Sequence, residues 1–445
     1  MKYNPLYSEK LSIDNLNSIF TLKIRHKANP GHDKISLKNF DVDKHIEIIS
    51  RKTQIGNYKF TPYKEKLISK GKGKFPRIIS IPTIRDKVTL SALNEILTES
   101  FSMILDTKTS TITMQQIKAE IDSKQFDYFI KIDIKSFYDA IDHQILMKKI
   151  KKVIKDKRIL ELIQNAIENP TVASTSKKYT MSKKGVPQGI SISNILANIF
   201  LNDFDNKFSR FKNIAYFRYV DDILILCKSN NHKRIQYSIH NELCNKLSLE
   251  INEKKDHGSL TKGFDYLGYK YTEIKEGLLG LTVKEKNLRK LEDSLIKIIS
   301  TYKVDKKSEV LVWNLNLRIT GFIIEKKRYG WLFFYSKLDD ISILYHLDWL
   351  VNKICDDAGV KKELKLRIKK FVRAYHEITK KKGKSDYIPN HENFDLYHKI
   401  KTLHSIFGYK NDELENMSEE EIHLLFRKKM YDSVRELEKD VQEIS

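Results

Sequence analysis

Two adjacent carboxylates, Asp221 and Asp222, separate two apolar runs, Ala215-Tyr216-Phe217-Arg218-Tyr219-Val220 and Ile223-Leu224-Ile225-Leu226-Cys227. The β-branched and aromatic content of both runs predicts two strands, with the aspartates as the turn between them. Asp is common in turns, so a solvated hairpin tip is the plain alternative. The second run has no polar alternation, which predicts a strand buried on both faces. A carboxylate pair beside such a strand needs a positive partner. Mg²⁺ fits, because it takes one or two carboxylates and completes its shell with water and phosphate oxygens. Two aspartates alone do not make a two-metal site, so another acid must come from elsewhere in the chain.

Asp133 is the candidate, at the end of the apolar run Tyr128–Ile132 and followed by Phe137 and Tyr138. A lone strand-end Asp is more often a cap, and Asp142-His143 opens the next helix. Further parts lie on both sides. Lys64–Ser69 and Phe75–Pro82 read as strands around the basic turn Lys70-Gly71-Lys72-Gly73-Lys74. Glycines between lysines admit phosphate close to the backbone, although a solvated charged turn explains the same residues. Lys184-Gly185-Val186-Pro187-Gln188-Gly189 is a tight turn before a helix read over Ser191–Leu201, whose N-terminus could face an anion or a sugar. His32 and Asp33 have no neighbours that complete a ligand set.

The elements that must hold these residues follow from periodicity. Helices are expected over Asp41–Ser50, Ser91–Ile104, 143–165 and Gln236–Leu247, with 107–112 a polar connector. Leu146, Ile150, Val153, Ile154, Leu160 and Ile163 form a core stripe in the third of these. Leu247–Asn252 and Phe264–Tyr271 read as single strands, Gly268 allowing close packing in the second. From Val283 the pattern is helical and basic. Residues 361–384 carry 11 Lys or Arg among 24, with Phe371 and Tyr375 interleaved. Lys369, Lys370 and Arg373 there, and Arg85 after the basic hairpin, are candidate nucleic-acid contacts; a solvated helix face is the alternative. Ser418-Glu419-Glu420-Glu421 is a capping box.

The chain has 445 residues, 40% hydrophobic, and a net charge of +23. That length and apolar content predict a globular chain of several domains. The charge points to a polyanion, nucleic acid before an anionic membrane surface. No apolar run reaches bilayer length and the N-terminus lacks a signal-peptide core, so no membrane partner and a cytoplasmic location are expected. The three cysteines, Cys227, Cys244 and Cys355, show no ligand spacing, and Cys227 reads as a buried hydrophobe.

In order, the chain offers a basic hairpin, a strand-end Asp followed by aromatics, Pro-Gln-Gly before a helix, Tyr-x-Asp-Asp, a lysine after a short strand, and a Leu-Gly strand. This succession resembles the reverse transcriptases over about residues 25–275. Asn29–Lys34 with Tyr58 and Pro62 looks like the group II intron branch. The resemblance implies an α+β right-hand polymerase. Fingers would occupy 1–120 with 144–190, the palm would lie within 121–275, and a helical thumb would span 276–360, before a basic helical C-terminal region at 361–445. It implies that Asp133, Asp221 and Asp222 hold two Mg²⁺, and that Tyr138 is a steric gate against the 2′-hydroxyl. Gln188 would touch the nucleotide sugar. Arg77, with Lys74 or its neighbours Lys70 and Lys72, would clamp the triphosphate, as would Lys255, with Lys254 one register away. The implied activity is RNA-directed DNA synthesis from dNTPs, with an RNA template and a DNA product as partners. A homo-oligomer or a partner reverse transcriptase is left open.

Departures narrow the branch. No Cys/His-rich segment follows residue 275, Asn165–Asn169 misses the Asn-Ala-x-x-His of retron enzymes, and no Gly-Phe-Arg precedes Asp133. Leu315–Gly321 and Arg328–Phe334 resemble the defence-associated "unknown group" enzymes, with a lean to the type 3 system. That would imply a non-coding RNA template and anti-phage defence. Rivals are an intron-type reverse transcriptase with maturase activity, an untemplated protein-primed terminal transferase, and an RNA-binding protein with an inactive core.

Overall fold

The carboxylate-bearing strands lie side by side in one antiparallel sheet. In chain order the strands of the first compact unit are β1 (Tyr63–Ile68), β2 (Arg77–Ile81), β3 (Tyr128–Asp133), β4 (Thr171–Val172), β5 (Ile214–Tyr219) and β6 (Asp222–Cys227), with β7 (Asp256–Ser259) at its end. The computed structural model describes residues 5–25, 28–69, 73, 75–103, 109–176, 179–252, 256–381 and 385–441. They form two compact units, one of residues 1–107 and 125–257, the other of 108–124 and 258–445.

In the first unit β6 lies between β5 and β3, in the order β5-β6-β3-β7. Ile223, Leu224, Ile225, Leu226 and Cys227 are all fully buried, so the expectation of a strand covered on both faces holds. Each such side chain removed from water is worth about 1.5–3 kcal/mol. Ile223, Ile225 and Cys227 share a core with Ile130 and Ile132 of β3 and with Leu196, Phe200 and Phe204 of the helix Ser193–Ser209. A second sheet, β2-β1-β4, carries the basic hairpin: β1 and β2 are antiparallel, with Lys64 opposite Ile81 and Ile68 opposite Arg77.

Helix boundaries shift where side-chain caps override periodicity. The helix expected from Ser91 begins at Ile84, because the Thr83 hydroxyl caps the backbone N–H of Asp86. The segment 107–112, expected to be a connector, contains the start of the helix Ser110–Asp122, capped by Thr109. The helical stretch 143–165 is two helices, His143–Val153 and Lys157–Glu168, the second restarted by the Asp156 cap. Gln236–Leu247 is an α-helix, His232–His240, running into a wider π-turn over Asn241–Lys246. Leu247–Asn252 is not a strand; only an isolated bridge between Ile251 and Ile134 remains of it.

The second unit contains β8 (Phe264–Tyr266), β9 (Tyr269–Lys275) and β10 (Leu278–Val283) in one antiparallel sheet, followed by helices. The strand expected over Phe264–Tyr271 is two strands, because Leu267 and Gly268 both take positive φ (47° and 80°) and turn the chain back. The close packing expected at Gly268 is present, since a Cβ there would stand 2.9 Å from the Tyr335 hydroxyl. The capping box forms: the Ser418 N–H donates to Glu421 Oε2 at 2.8 Å and the Glu421 N–H donates to Ser418 Oγ at 3.3 Å.

Candidate active site

The register of the central sheet sets Asp133, the last residue of β3, directly opposite Asp222, the first residue of β6. Facing residues of an antiparallel pair have Cβ atoms about 4.5–5.5 Å apart, so the two carboxylates leave the backbone side by side. Asp222 also pairs with Tyr219 of β5, which makes Val220 and Asp221 the two-residue turn. The sequence pattern predicts both aspartates in the turn, whereas Asp222 belongs to the strand. Val220 has φ +57° while Asp221 does not share the left-handed conformation.

Of the other predicted residues, Tyr138, Arg77 and Gln188 are linked to these acids in the same unit. Tyr138 is buried in the short helix Phe137–Ala140, and its hydroxyl donates to Asn194 Oδ1 at 2.6 Å. Burial pushes that hydroxyl up to about 12; the charge of Asp221 adds to the shift, and Arg77 and Arg218 oppose it. Tyr138, Asp221 and Arg77 are therefore electrostatic neighbours. Arg77 Nε donates to Gln188 Oε1 at 2.5 Å, and the Ser80 N–H donates to the Gln188 carbonyl at 2.7 Å. The Pro-Gln-Gly turn is thus docked on β2. Gly189 makes the docking sterically feasible: its φ is +97° and a Cβ would lie 2.6 Å from Ile79 Cγ2.

Lys74 and Lys255, with Lys70, Lys72 and Lys254, lie outside the described residues. Arg85 has a packing contact: its guanidinium is 5.9 Å from the Tyr58 ring centroid, next in sequence to the fully buried Asp86. Asp86 accepts hydrogen bonds from the Tyr58 hydroxyl and the Thr61 N–H. In the second unit, Lys369, Lys370 and Arg373 gather on one tyrosine. Lys369 Nζ donates to the Tyr387 carbonyl at 2.6 Å, the Lys370 N–H donates to the Tyr387 hydroxyl at 2.7 Å, and the Arg373 guanidinium lies 4.4 Å from that ring centroid. Lys370 and Arg373 are exposed, whereas Lys369 is half-buried.

Two positioning side chains, Asn252 and Arg218, are not among the candidates drawn from the sequence. Asn252 Nδ2 donates to Asp133 Oδ2 at 2.6 Å, while its backbone N–H donates to the Asp133 carbonyl at 3.0 Å. Arg218 is bound by Asp205 beneath the hairpin turn. Arg218 does carry a signal: a guanidinium inside an otherwise apolar strand must find a partner there. Asn252 carries none, because the alternation of its segment predicts a strand.

Among the described residues no group of three or more His, Cys, Asp or Glu side chains forms a ready ligand set for a metal ion. The donors nevertheless suit a hard cation. Asp133 and Asp222 offer paired carboxylate oxygens with Asp221 adjacent, and such a cation asks the protein for only one or two carboxylates when phosphate oxygens complete the shell.

Comparison with known proteins agrees with this layout. Residues 68–271 match the family model "Reverse transcriptase (RNA-dependent DNA polymerase)". Protein YkfC of Escherichia coli is 23% identical over 66% of this chain and 89% of its own length. The group II intron-encoded protein LtrA of Lactococcus lactis subsp. cremoris is 25% identical over 44% of this chain and 36% of its own. The chain spans about a third of the length of several relatives that it matches. Apo telomerase from Candida tropicalis aligns with 83% of this chain and 62% of its own, at 16% identity and a TM-score of 0.45. The carboxylate strands, the Pro-Gln-Gly turn and β2 all lie inside the matched segment, so residues 68–271 are similar to reverse transcriptase domains, among them that of a group II intron-encoded protein, with the mixed α/β content of a right-hand polymerase fold and a helical C-terminal region after it.

Proposed function

We propose that the protein is an RNA-directed DNA polymerase that joins dNTPs on an RNA template, with Asp133, Asp221 and Asp222 holding divalent cations, two Mg²⁺ in the full site. The observation that carries this reading is the strand register that sets Asp133 against Asp222 within the matched segment. Bound there, the cations would stabilise the attacking and leaving oxygens of an in-line displacement. Arg77, with Lys74 and Lys255, faces the triphosphate in this reading. Gln188, which Arg77 already holds at 2.5 Å, lies against the sugar, and the ring of Tyr138 closes the space a 2′-hydroxyl needs. Fingers, palm and thumb follow the boundaries inferred from sequence. Lys370 and Arg373 stand exposed for nucleic acid, whereas Arg85 and Lys369 serve packing first.

The Asp221→Ala, Asp222→Ala double variant tests the activity. Primer extension is expected to fall by about a thousandfold or more, roughly 4 kcal/mol of barrier. Persisting incorporation would refute the assignment.

For the biological setting, the stretches Leu315–Gly321 and Arg328–Phe334 favour a defence-associated enzyme, of the type 3 kind, that copies a non-coding RNA against phage. The similarity to an intron-encoded protein favours an intron reverse transcriptase or maturase. Sequencing the nucleic acid that copurifies with the wild type and the double variant separates them. A structured RNA in both, with complementary DNA only in the wild type and no intron boundaries, supports the first reading. Spliced intron RNA supports the second. DNA of untemplated sequence would point to a terminal transferase, and RNA alone in both to an RNA-binding role.

A further inference from the structure

The turn that presents Asp221 is held in a conformation its own residue resists. Val220 has φ +57°, where a β-branched side chain is strained by about 1–3 kcal/mol. Such a backbone persists only where its surroundings fix it. The Val220 carbonyl accepts a hydrogen bond from Arg218 Nη1 at 2.8 Å, and the same nitrogen reaches Asn198 Oδ1 at 3.2 Å. The other edge of the guanidinium, Nε and Nη2, is engaged by the two oxygens of Asp205 at 2.7 and 2.5 Å. The Tyr216 hydroxyl donates to that same carboxylate at 2.6 Å. Asn198 and Asp205 share one face of the helix Ser193–Ser209, nearly two turns apart. The Arg218 side chain is only 10% exposed, so this network is largely closed to water.

Asp205 alone would neutralise a buried guanidinium. The remaining edge of Arg218 is aimed at the peptide immediately before Asp221, the one peptide of the hairpin under strain. We propose that Arg218, braced by Asp205 and Asn198, is a positioning residue that locks the left-handed Val220 turn and thereby aims the Asp221 carboxylate. It touches neither cation nor nucleotide. Loss of the brace lets Val220 relax to negative φ and turns the carboxylate away, so cation affinity and the rate of nucleotide joining fall together. The inference rests on the nucleotidyl-transfer reading of the site.

The test uses Arg218→Gln, Asp205→Asn, Val220→Gly and the Arg218→Gln, Val220→Gly double variant of the full chain. Single-dNTP incorporation is measured against Mg²⁺ concentration, and Mn²⁺ binding without substrate is followed by electron paramagnetic resonance. Arg218→Gln should raise the half-saturating Mg²⁺ concentration by about tenfold and lower kcat, with the dNTP KM within about twofold. Asp205→Asn should move both in the same direction by less. In the Val220→Gly background the Arg218→Gln effect should shrink, because glycine takes the left-handed turn without strain. A merely structural Arg218 would lower the melting temperature and leave the Mg²⁺ midpoint and kcat of the folded protein unchanged, which overturns the proposal. Equal losses with valine and with glycine at this turn position overturn it as well. Should Arg218→Gln not fold, Asp205→Asn in both backgrounds separates the same two outcomes. Should the wild type join no nucleotide, the polymerase reading fails by itself and Mn²⁺ binding decides: weaker binding in the folded variants supports the brace, and unchanged binding refutes it.

Discussion

Tyr138 has two separable parts. Its ring fills space beside Asp221, and its hydroxyl, pushed up to about 12, stays protonated at any working pH and is engaged by Asn194. If the ring is the gate, Tyr138→Phe keeps the preference for dNTP over rNTP within about threefold, whereas Tyr138→Ala lowers it by about tenfold or more, ~1.4 kcal/mol. Competition assays with both nucleotide types check this. Gly189 makes a sharper steric prediction. Alanine there meets both a φ of +97° and the Ile79 side chain, so Gly189→Ala should destabilise the first unit by about 1–3 kcal/mol, read as a lower urea midpoint. Cys227 is fully buried and burial pushes its thiol up to about 12, so thiol reagents should leave it unmodified until the sheet opens. Mass spectrometry after a brief alkylation reads this directly.

Among the elements, the helical end of the second unit carries a charge-sensitive core. His391 is buried among Trp313, Phe322, Phe394 and Phe426, with ring centroids 4.6–6.1 Å away. Burial, with Lys369 adding to it, pushes His391 down to about 4. The unfolded chain therefore binds a proton here that the folded chain refuses. The stability this neutral ring supports is intact above its ordinary value of 6.5 and is lost as pH falls toward 4, up to about 3 kcal/mol. His391→Phe should flatten the melting curve of this unit against pH across that interval. Sequence patterns reach some elements and not others for reasons of scale. β6 is legible because five consecutive apolar residues can only be buried, and the Ser418 cap because its partner is three residues away. His391 is not, because three of its four aromatic neighbours, Trp313, Phe322 and Phe426, come from segments far away in the chain. Leu247–Asn252 misleads because alternation suggests a whole strand, whereas its pairing is limited to the single bridge between Ile251 and Ile134. What is lost with it is Asn252, the residue that orients Asp133. The aspartates themselves are legible as types and spacing, whereas the facing of Asp133 and Asp222 is a property of register.

For the whole molecule, the charge of +23 is the dominant long-range property. Binding to a primed RNA template should weaken steeply with salt, with log K falling against log salt by about 0.7–0.9 per phosphate neutralised. Filter binding at several salt concentrations measures the slope, and neutralising the exposed Lys370 and Arg373 together should reduce it by about one to two. No helix among the described residues is long and apolar enough to cross a membrane. The division into units has its own consequence. The helix Ser110–Asp122 belongs to the second unit, yet it is made before most of the first. Its Lys118 pairs with Asp339, a residue 221 positions later. On a ribosome adding about 5–20 residues per second, that helix waits on the order of ten seconds or more for its partner while the intervening residues are made. The nascent chain must therefore keep this helix unclaimed during synthesis, and a truncation before residue 339 would leave it without that ion pair.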